Sequence, residues 1–122
     1  LIIGIGTDSI EFERIISAVK KESFLNKNFS EDERAYFQKK GSPGSSIAAN
    51  FAGKEAVVKA LGTGFLGFGP AQVEILRDEL GKPWARLSGR ALSIAEELGV
   101  KKLHISITHD TRCALAFAVA EA

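Results

Sequence analysis

The stretch from Leu103 to Ala120 is the strongest constraint on the fold. Leu103, Ile105, Ile107 and His109 alternate with His104, Ser106 and Thr108, the period of a strand with one apolar face. Asp110-Thr-Arg112 then turns the chain into Cys113-Ala-Leu-Ala-Phe-Ala-Val-Ala120, an apolar run that reads as a buried final strand. The chain therefore closes on a sheet.

Three earlier segments also read as strands. Leu1-Ile-Ile-Gly-Ile-Gly-Thr7 is β-branched and bounded by glycines. Val73-Glu-Ile-Leu-Arg77 and Trp84-Ala-Arg-Leu87 pair as a hairpin across the turn Asp78–Pro83. The helical segments fall between them. Asp8, with Glu11 three residues later, predicts an N-cap for a helix reaching about Lys20 and lined by Ile10, Ile15 and Ile16. That helix carries Arg14, Lys20 and Lys21. Residues 21–29 read as a connection anchored in the core by Phe24 and Phe29.

Ser30-Glu-Asp-Glu33 is a full capping box, so a second helix runs to about Lys40. After the loop Gly41-Ser-Pro-Gly-Ser-Ser46, Ser45 or Ser46 caps a third helix that carries Phe51 to Lys59. Ser88 opens the last helix, with Ala91, Leu92, Ile94, Ala95 and Leu98 on its inner side, and Gly99 stops it. The expected order is β-α-α-α-β-β-α-β-β, an α+β fold in a single domain over residues 1–122.

Composition narrows the function classes. With 122 residues, 45% of them hydrophobic, the chain can bury one core but has little room for a deep pocket of its own. A site shared within an oligomer is therefore an option. The net charge of +1 comes without a basic excess or an aromatic-basic stripe, so nothing indicates nucleic acid. The single Cys113 excludes an internal disulfide framework, and no Cys/His cluster has zinc-site spacing, so a reducing, cytoplasmic setting fits. No apolar run reaches membrane-spanning length.

Phe51-Ala-Gly-Lys-Glu-Ala-Val-Val-Lys59 is the stretch around which a candidate site is organised. As a helix it places Phe51, Glu55, Val58 and Gly62 on one stripe, flanked by Lys54 and Lys59. Glu55 and Lys59 are four apart and share a face, and on spacing alone an ordinary surface ion pair is the favoured explanation. Gly53 favours a second reading. It costs about 1 kcal/mol relative to Ala inside a helix, so something packs closely there and Glu55 faces a site. The helix runs into residues 62–70, with four glycines and two phenylalanines; these form either a mobile connection or the wall or lid of a site. The glycines lack the Gly-Lys-Ser/Thr order of a Walker phosphate loop. His109 closes an apolar strand where a site can form, or is a satisfied histidine beside a turn.

Three motifs together resemble one family. Ile5-Gly-Thr-Asp8 followed by Arg14, the Phe51-x-x-Lys-Glu-Ala-x-x-Lys59 helix and Ile105-Ser-Ile-Thr-His109 occur in order, with Gly81-Lys-Pro83 between the last two. The set resembles the 4′-phosphopantetheinyl transferases of the small holo-acyl-carrier-protein synthase type, over essentially the whole chain.

The resemblance implies transfer of phosphopantetheine from coenzyme A to a serine of an apo acyl carrier protein, releasing adenosine 3′,5′-bisphosphate, a step of fatty acid biosynthesis. It assigns magnesium to Asp8 and Glu55, and magnesium suits a few carboxylates completed by phosphate oxygens and waters. It makes Glu55, Lys59 and Asp8 catalytic, with Glu55 or a metal-bound water as the base. His109 and Lys59 meet the coenzyme's phosphates, and Lys54 and Pro83 are further contacts. Arg14, with Lys20 and Lys21, docks the acidic carrier.

Larger relatives build one cleft from two similar halves. By that analogy a small chain forms a homotrimer with shared sites, burying Phe65, Phe68 and the apolar final strand. Two departures stand out. Ile10 occupies the place of a third acid found in larger relatives. Ala49-Asn50 precedes Phe51 where members often have a basic residue, which leaves a phosphate contact to Lys39, Lys40 or Lys54. The competing readings are a transferase domain of a fatty acid synthase, favoured less because no linker is evident at either end, and a non-catalytic carrier-binding module.

Overall fold

The computed structural model describes all residues, 1–122. Strand β1 (Ile2–Glu11) leads into α1 (Phe12–Ala18), α2 (Glu22–Asn28), α3 (Glu31–Lys39) and the long α4 (Gly44–Leu61). A 3-10 turn at Pro70–Gln72 precedes the hairpin β2 (Val73–Arg77) and β3 (Pro83–Leu87). Helix α5 (Gly89–Leu98) and strands β4 (Lys102–His109) and β5 (Cys113–Glu121) complete the chain. The expected α+β order holds, with one additional helix. No helix is long and apolar enough to cross a membrane.

Strands β1, β5 and β4 form an antiparallel sheet in the order β1-β5-β4, while β2 and β3 pair separately. The alternation read from the sequence for β4 holds in β1 and β5 as well, which were expected to be buried on both sides: each strand's side chains sort onto two faces, one of them open. Gly4, Gly6, Asp8 and Ile10 of β1, the alanines 114, 116, 118 and 120 of β5, and Ile105, Ile107 and His109 of β4 share the face toward α4. Ile5, Leu115 and Phe117 lie on the other face, 60%, 44% and 42% exposed.

Helix α4 forms because its sequence is rich in alanine, the best helix former. It ends at Gly62, whose φ of +79° is the left-handed conformation, so its N–H caps the carbonyls of Val58 and Lys59. Ala48, Ala52, Ala56 and Ala60 recur along its sheet-facing stripe and are buried. The approach is close: a Cβ on Gly6 would lie 2.1 Å from the Ala56 carbonyl oxygen. Gly53 is crowded as expected, with Ile75 and Ile107 around the place its Cβ would occupy.

Several local expectations failed, among them Ile16, Leu92 and Leu98, expected on inner helix faces but 50%, 43% and 41% exposed. Asp8 is no N-cap. Strand pairing continues through Ile10–Ala114 and Glu11–Cys113, and α1 starts only at Phe12. The ladder's hydrogen bonds and burial of Ile10 outweigh one cap, worth about 1 kcal/mol. Residues 22–28 are helix, not connection, although Phe24 and Phe29 anchor as expected. Phe24 stacks on Phe51 with ring centroids 6.0 Å apart, and Phe29 meets Phe37 edge-on at 5.0 Å. Helix α4 begins at Gly44, so Ser45 and Ser46 lie inside it rather than capping it. Phe65 and Phe68 are not free surface. They pack edge to face with ring centroids 5.7 Å apart and Phe68 buried, and Leu66 between them is the exposed residue. The capping box of Ser30 and Glu33 forms in full.

Candidate active site

Asp8 projects from β1 toward α4, where Glu55 and Lys59 share one flank of the helix. Lys59 Nζ donates to the Thr7 carbonyl at 2.9 Å and to Asp8 Oδ1 at 3.3 Å, with the Asp8 side chain mostly covered. Burial, then the neighbouring Asp8 charge, pushes the Glu55 carboxyl above its ordinary range, and Lys59 opposes the shift. Two carboxylates therefore stand close enough to repel each other beside a single lysine. That is a poor arrangement for stability and a good one for holding a hard cation. No group of three or more His, Cys, Asp or Glu residues forms a self-sufficient metal cage anywhere in the chain. The donor set fits magnesium, which retains waters and substrate phosphate oxygens, and does not fit a closed structural zinc site.

The burial of Glu55, with the repulsion from Asp8 added to it, makes a pH-dependent prediction for protein free of divalent cations. A carboxyl whose folded pKa lies above its unfolded value of about 4.5 favours folding less once it ionises. The penalty is absent below the unfolded value, grows as pH rises through it, and is complete above the folded one. Glu55→Gln should therefore melt above wild type near neutral pH, and the difference should vanish below about pH 4. Thermal melting at the two pH values checks the sign.

His109 lies elsewhere. Asp8 pairs across the sheet with Ala116, which pairs with Ile107, whereas His109 pairs with Ala114. Asp8 and His109 thus sit on opposite edge strands, separated by β5 and about 10 Å of strand spacing, with α4 lying over the sheet between their sides. Phe12 lies against the His109 ring, centroids 6.3 Å apart.

His109 and Pro83 do share an open cleft of about 280 Å³ with Tyr36, Lys40, Ser45 and Arg77, and neither acid nor Lys59 lines it. The Arg77 guanidinium lies 5.2 Å and Lys40 Nζ 5.9 Å from the Tyr36 ring centroid, so one aromatic ring holds two cations in the cleft that His109 lines. Such a cleft suits an anion. The sequence offers Lys40 as a phosphate contact but gives no such indication for Tyr36 and Arg77. Their clue was weak, since the residues come from α3 and β2, far apart in the chain.

Lys54 is a correction. It is fully buried and pairs with Glu33 at 2.5 Å, so it cannot reach a bound phosphate. Asn50 is buried as well and donates to Glu33 and to the Ile75 carbonyl, so no phosphate contact is vacated at that position. Arg14, Lys20 and Lys21 are exposed on α1 and just beyond it, as expected.

A family profile described as the 4′-phosphopantetheinyl transferase superfamily matches residues 4–118. A holo-[acyl-carrier-protein] synthase of Clostridium beijerinckii is 48% identical, with 100% of this chain and 99% of that protein covered. Among solved structures, the synthase of Neisseria meningitidis superposes with a TM-score of 0.91 at 37% identity, covering 100% of both chains. The Helicobacter pylori synthase in complex with coenzyme A gives 0.83 at 32% identity, covering 96% of this chain and 99% of that one.

Proposed function

Since the chain belongs to the 4′-phosphopantetheinyl transferase superfamily as a protein of the holo-acyl-carrier-protein synthase type, we propose that Asp8, Glu55 and Lys59 are where it moves phosphopantetheine from coenzyme A to a carrier serine. One observation carries this reading: Lys59 bonds the mostly covered Asp8 at the edge of the sheet, and Glu55, one helical turn from Lys59, lies near enough for the Asp8 charge to act on it. Asp8 and Glu55 hold magnesium there, and the ion supplies charge neutralisation at the pyrophosphate when bound. Lys59 adds a fixed positive charge beside the developing negative one. Lys59 engages Asp8, so the serine hydroxyl's proton would pass to the oxygen of Glu55 turned away from the metal or to a metal-bound water. The serine oxygen bonds to the β-phosphorus, and the bond to the adenosine-bearing phosphate breaks, releasing adenosine 3′,5′-bisphosphate. Incubation with apo acyl carrier protein, coenzyme A and magnesium tests the reading. The carrier should gain the mass of one phosphopantetheine, and chelation of the metal should abolish the gain.

The second part of the proposal concerns assembly. A cleft of about 280 Å³ is below the usual size of a small-molecule pocket, and coenzyme A is a large ligand. The cationic cleft and the acid pair also lie on opposite flanks of α4. A homotrimer in the cytoplasm, with the acids of one chain facing His109, Lys40, Arg77 and Pro83 of the next, makes each cleft whole. The uncovered Ile5, Leu115 and Phe117 on the outer sheet face supply apolar surface for such contacts.

The carrier docks on α1 through Arg14, with Lys20 and Lys21 beside it. Carrier proteins are acidic, so this contact acts mainly by charge and weakens with salt. Arg14→Ala should raise the KM for carrier about tenfold while leaving that for coenzyme A within about twofold. Steady-state kinetics with each substrate varied in turn reads this, and equal shifts in both constants would remove Arg14 from docking.

A further inference from the structure

Helix α4 meets the sheet through its smallest residues. Ala48, Ala52, Ala56 and Ala60 lie over Gly4, Gly6 and the alanines of β5, and a Cβ on Gly4 would stand 2.0 Å from the Ala60 carbonyl oxygen. This brings backbone against backbone, but methyl groups and hydrogens offer little relief to stop the helix turning about its axis. The direction in which Glu55 and Lys59 point depends on that rotation. Buried Ile47, Val57 and Val58 elsewhere on α4 limit that rotation, and directional contacts fix it more sharply than apolar packing does.

Another face of α4 carries Asn50 and Lys54, one turn apart and both fully buried. Lys54 Nζ uses all three protons, donating to Glu33 Oε1 at 2.5 Å and to the carbonyls of Val73 at 2.7 Å and Pro70 at 3.0 Å. Asn50 Nδ2 uses both, donating to Glu33 Oε2 at 3.0 Å and the Ile75 carbonyl at 2.9 Å. The backbone N–H groups of Ser30 and Ile75 donate to the same Glu33 carboxylate at 3.1 and 3.2 Å. Replacing a buried ion pair with an apolar pair of similar volume is often neutral or stabilising, so stability alone does not account for this one, and fixing a register is the best-attested use of such pairs.

We infer that Glu33, Lys54 and Asn50 are positioning residues that pin α4 to α3 and β2 so that Glu55 and Lys59 stand against Asp8. The same lysine ties down Pro70, the far end of the loop that leaves α4 at Gly62. The inference rests on the reading of Asp8, Glu55 and Lys59 as the reacting group, and its test separates the two.

Two variants are compared with wild type. Glu33→Gln/Lys54→Met removes both charges at nearly constant volume, and Asn50→Ala removes two hydrogen bonds while keeping the ion pair. Through-space NMR contacts between Gly4 and Ala60 and between Gly6 and Ala56, in metal-free protein, read the helix setting. Electron paramagnetic resonance reads Mn²⁺ affinity. The contacts should weaken or shift, and Mn²⁺ affinity should fall about tenfold in the double variant and about threefold in Asn50→Ala. The KM for carrier should not move. Folded variants with unchanged contacts and unchanged affinity overturn the inference, and if the double variant fails to fold, Asn50→Ala decides by the same readings. Glu55→Gln serves as the control: if it binds Mn²⁺ like wild type, the metal assignment has failed, and the backbone contacts still judge the pin.

Discussion

Asp8→Asn and Glu55→Gln should each lower turnover about a hundred- to a thousandfold at saturating magnesium, the range seen when one preorganised electrostatic group is removed from a transition state. Both substitutions keep shape and remove charge. Neither residue belongs to the buried core, and the Lys59–Asp8 pair is a partly exposed one, worth less than about 1 kcal/mol. Lys59 also keeps its bond to the Thr7 carbonyl when Asp8 is replaced. The folded state should therefore survive, with melting temperatures close to or above wild type. A combined record of turnover and melting distinguishes lost chemistry from lost structure. Near-normal turnover in both variants would take the acid pair out of the reaction.

The contrast with Lys54 shows why neighbours on one helix need different experiments. Lys54 and Glu55 are adjacent, yet one is sealed in the core and the other stands at the edge of the sheet. Truncating Lys54 alone leaves Glu33 as an unpaired buried charge, a loss of about 3–5 kcal/mol. A dead Lys54→Ala variant would report unfolding rather than catalysis.

What the sequence made legible follows from how local each signal was. Strands β4 and β5 and the β2–β3 hairpin were readable because alternation and turn residues lie within a few positions of each other. The Ser30 capping box was readable for the same reason. Asp8 misled because its spacing to Glu11 imitates a cap, while the strand that keeps it extended, β5, lies at the far end of the chain. Helix α2 was missed because its residues, Glu22 to Asn28, show too little apolar periodicity, and its stability comes from Phe24 packing on Phe29 and Phe51. Lys54 read as a surface lysine because its partner sits on another helix, at Glu33. The motif residues Asp8, Glu55 and Lys59 were found together, and the structure brings them together. Tyr36 and Arg77 could not be found, since only folding places them beside His109.

The separation of His109 from the acids within one chain makes the second large prediction. Glu55→Gln and His109→Ala should each be nearly inactive, the first lacking an acid and the second a contact at the anion cleft. If each site joins the acid flank of one chain to the cleft of another, the two defects lie on different sides of an interface. Unfolding the variants together and refolding them as an equal mixture then produces some interfaces with both sides intact. With random assembly into a closed ring, about a quarter of the interfaces combine the acids of a His109→Ala chain with the histidine of a Glu55→Gln chain. The deciding measurement is the rate at which this mixture adds phosphopantetheine to apo carrier protein, followed by mass, with native mass spectrometry confirming mixed oligomers. Recovery to about a quarter of the wild-type rate is the predicted result; mixed oligomers with no recovered activity would mean that each chain carries a complete site of its own.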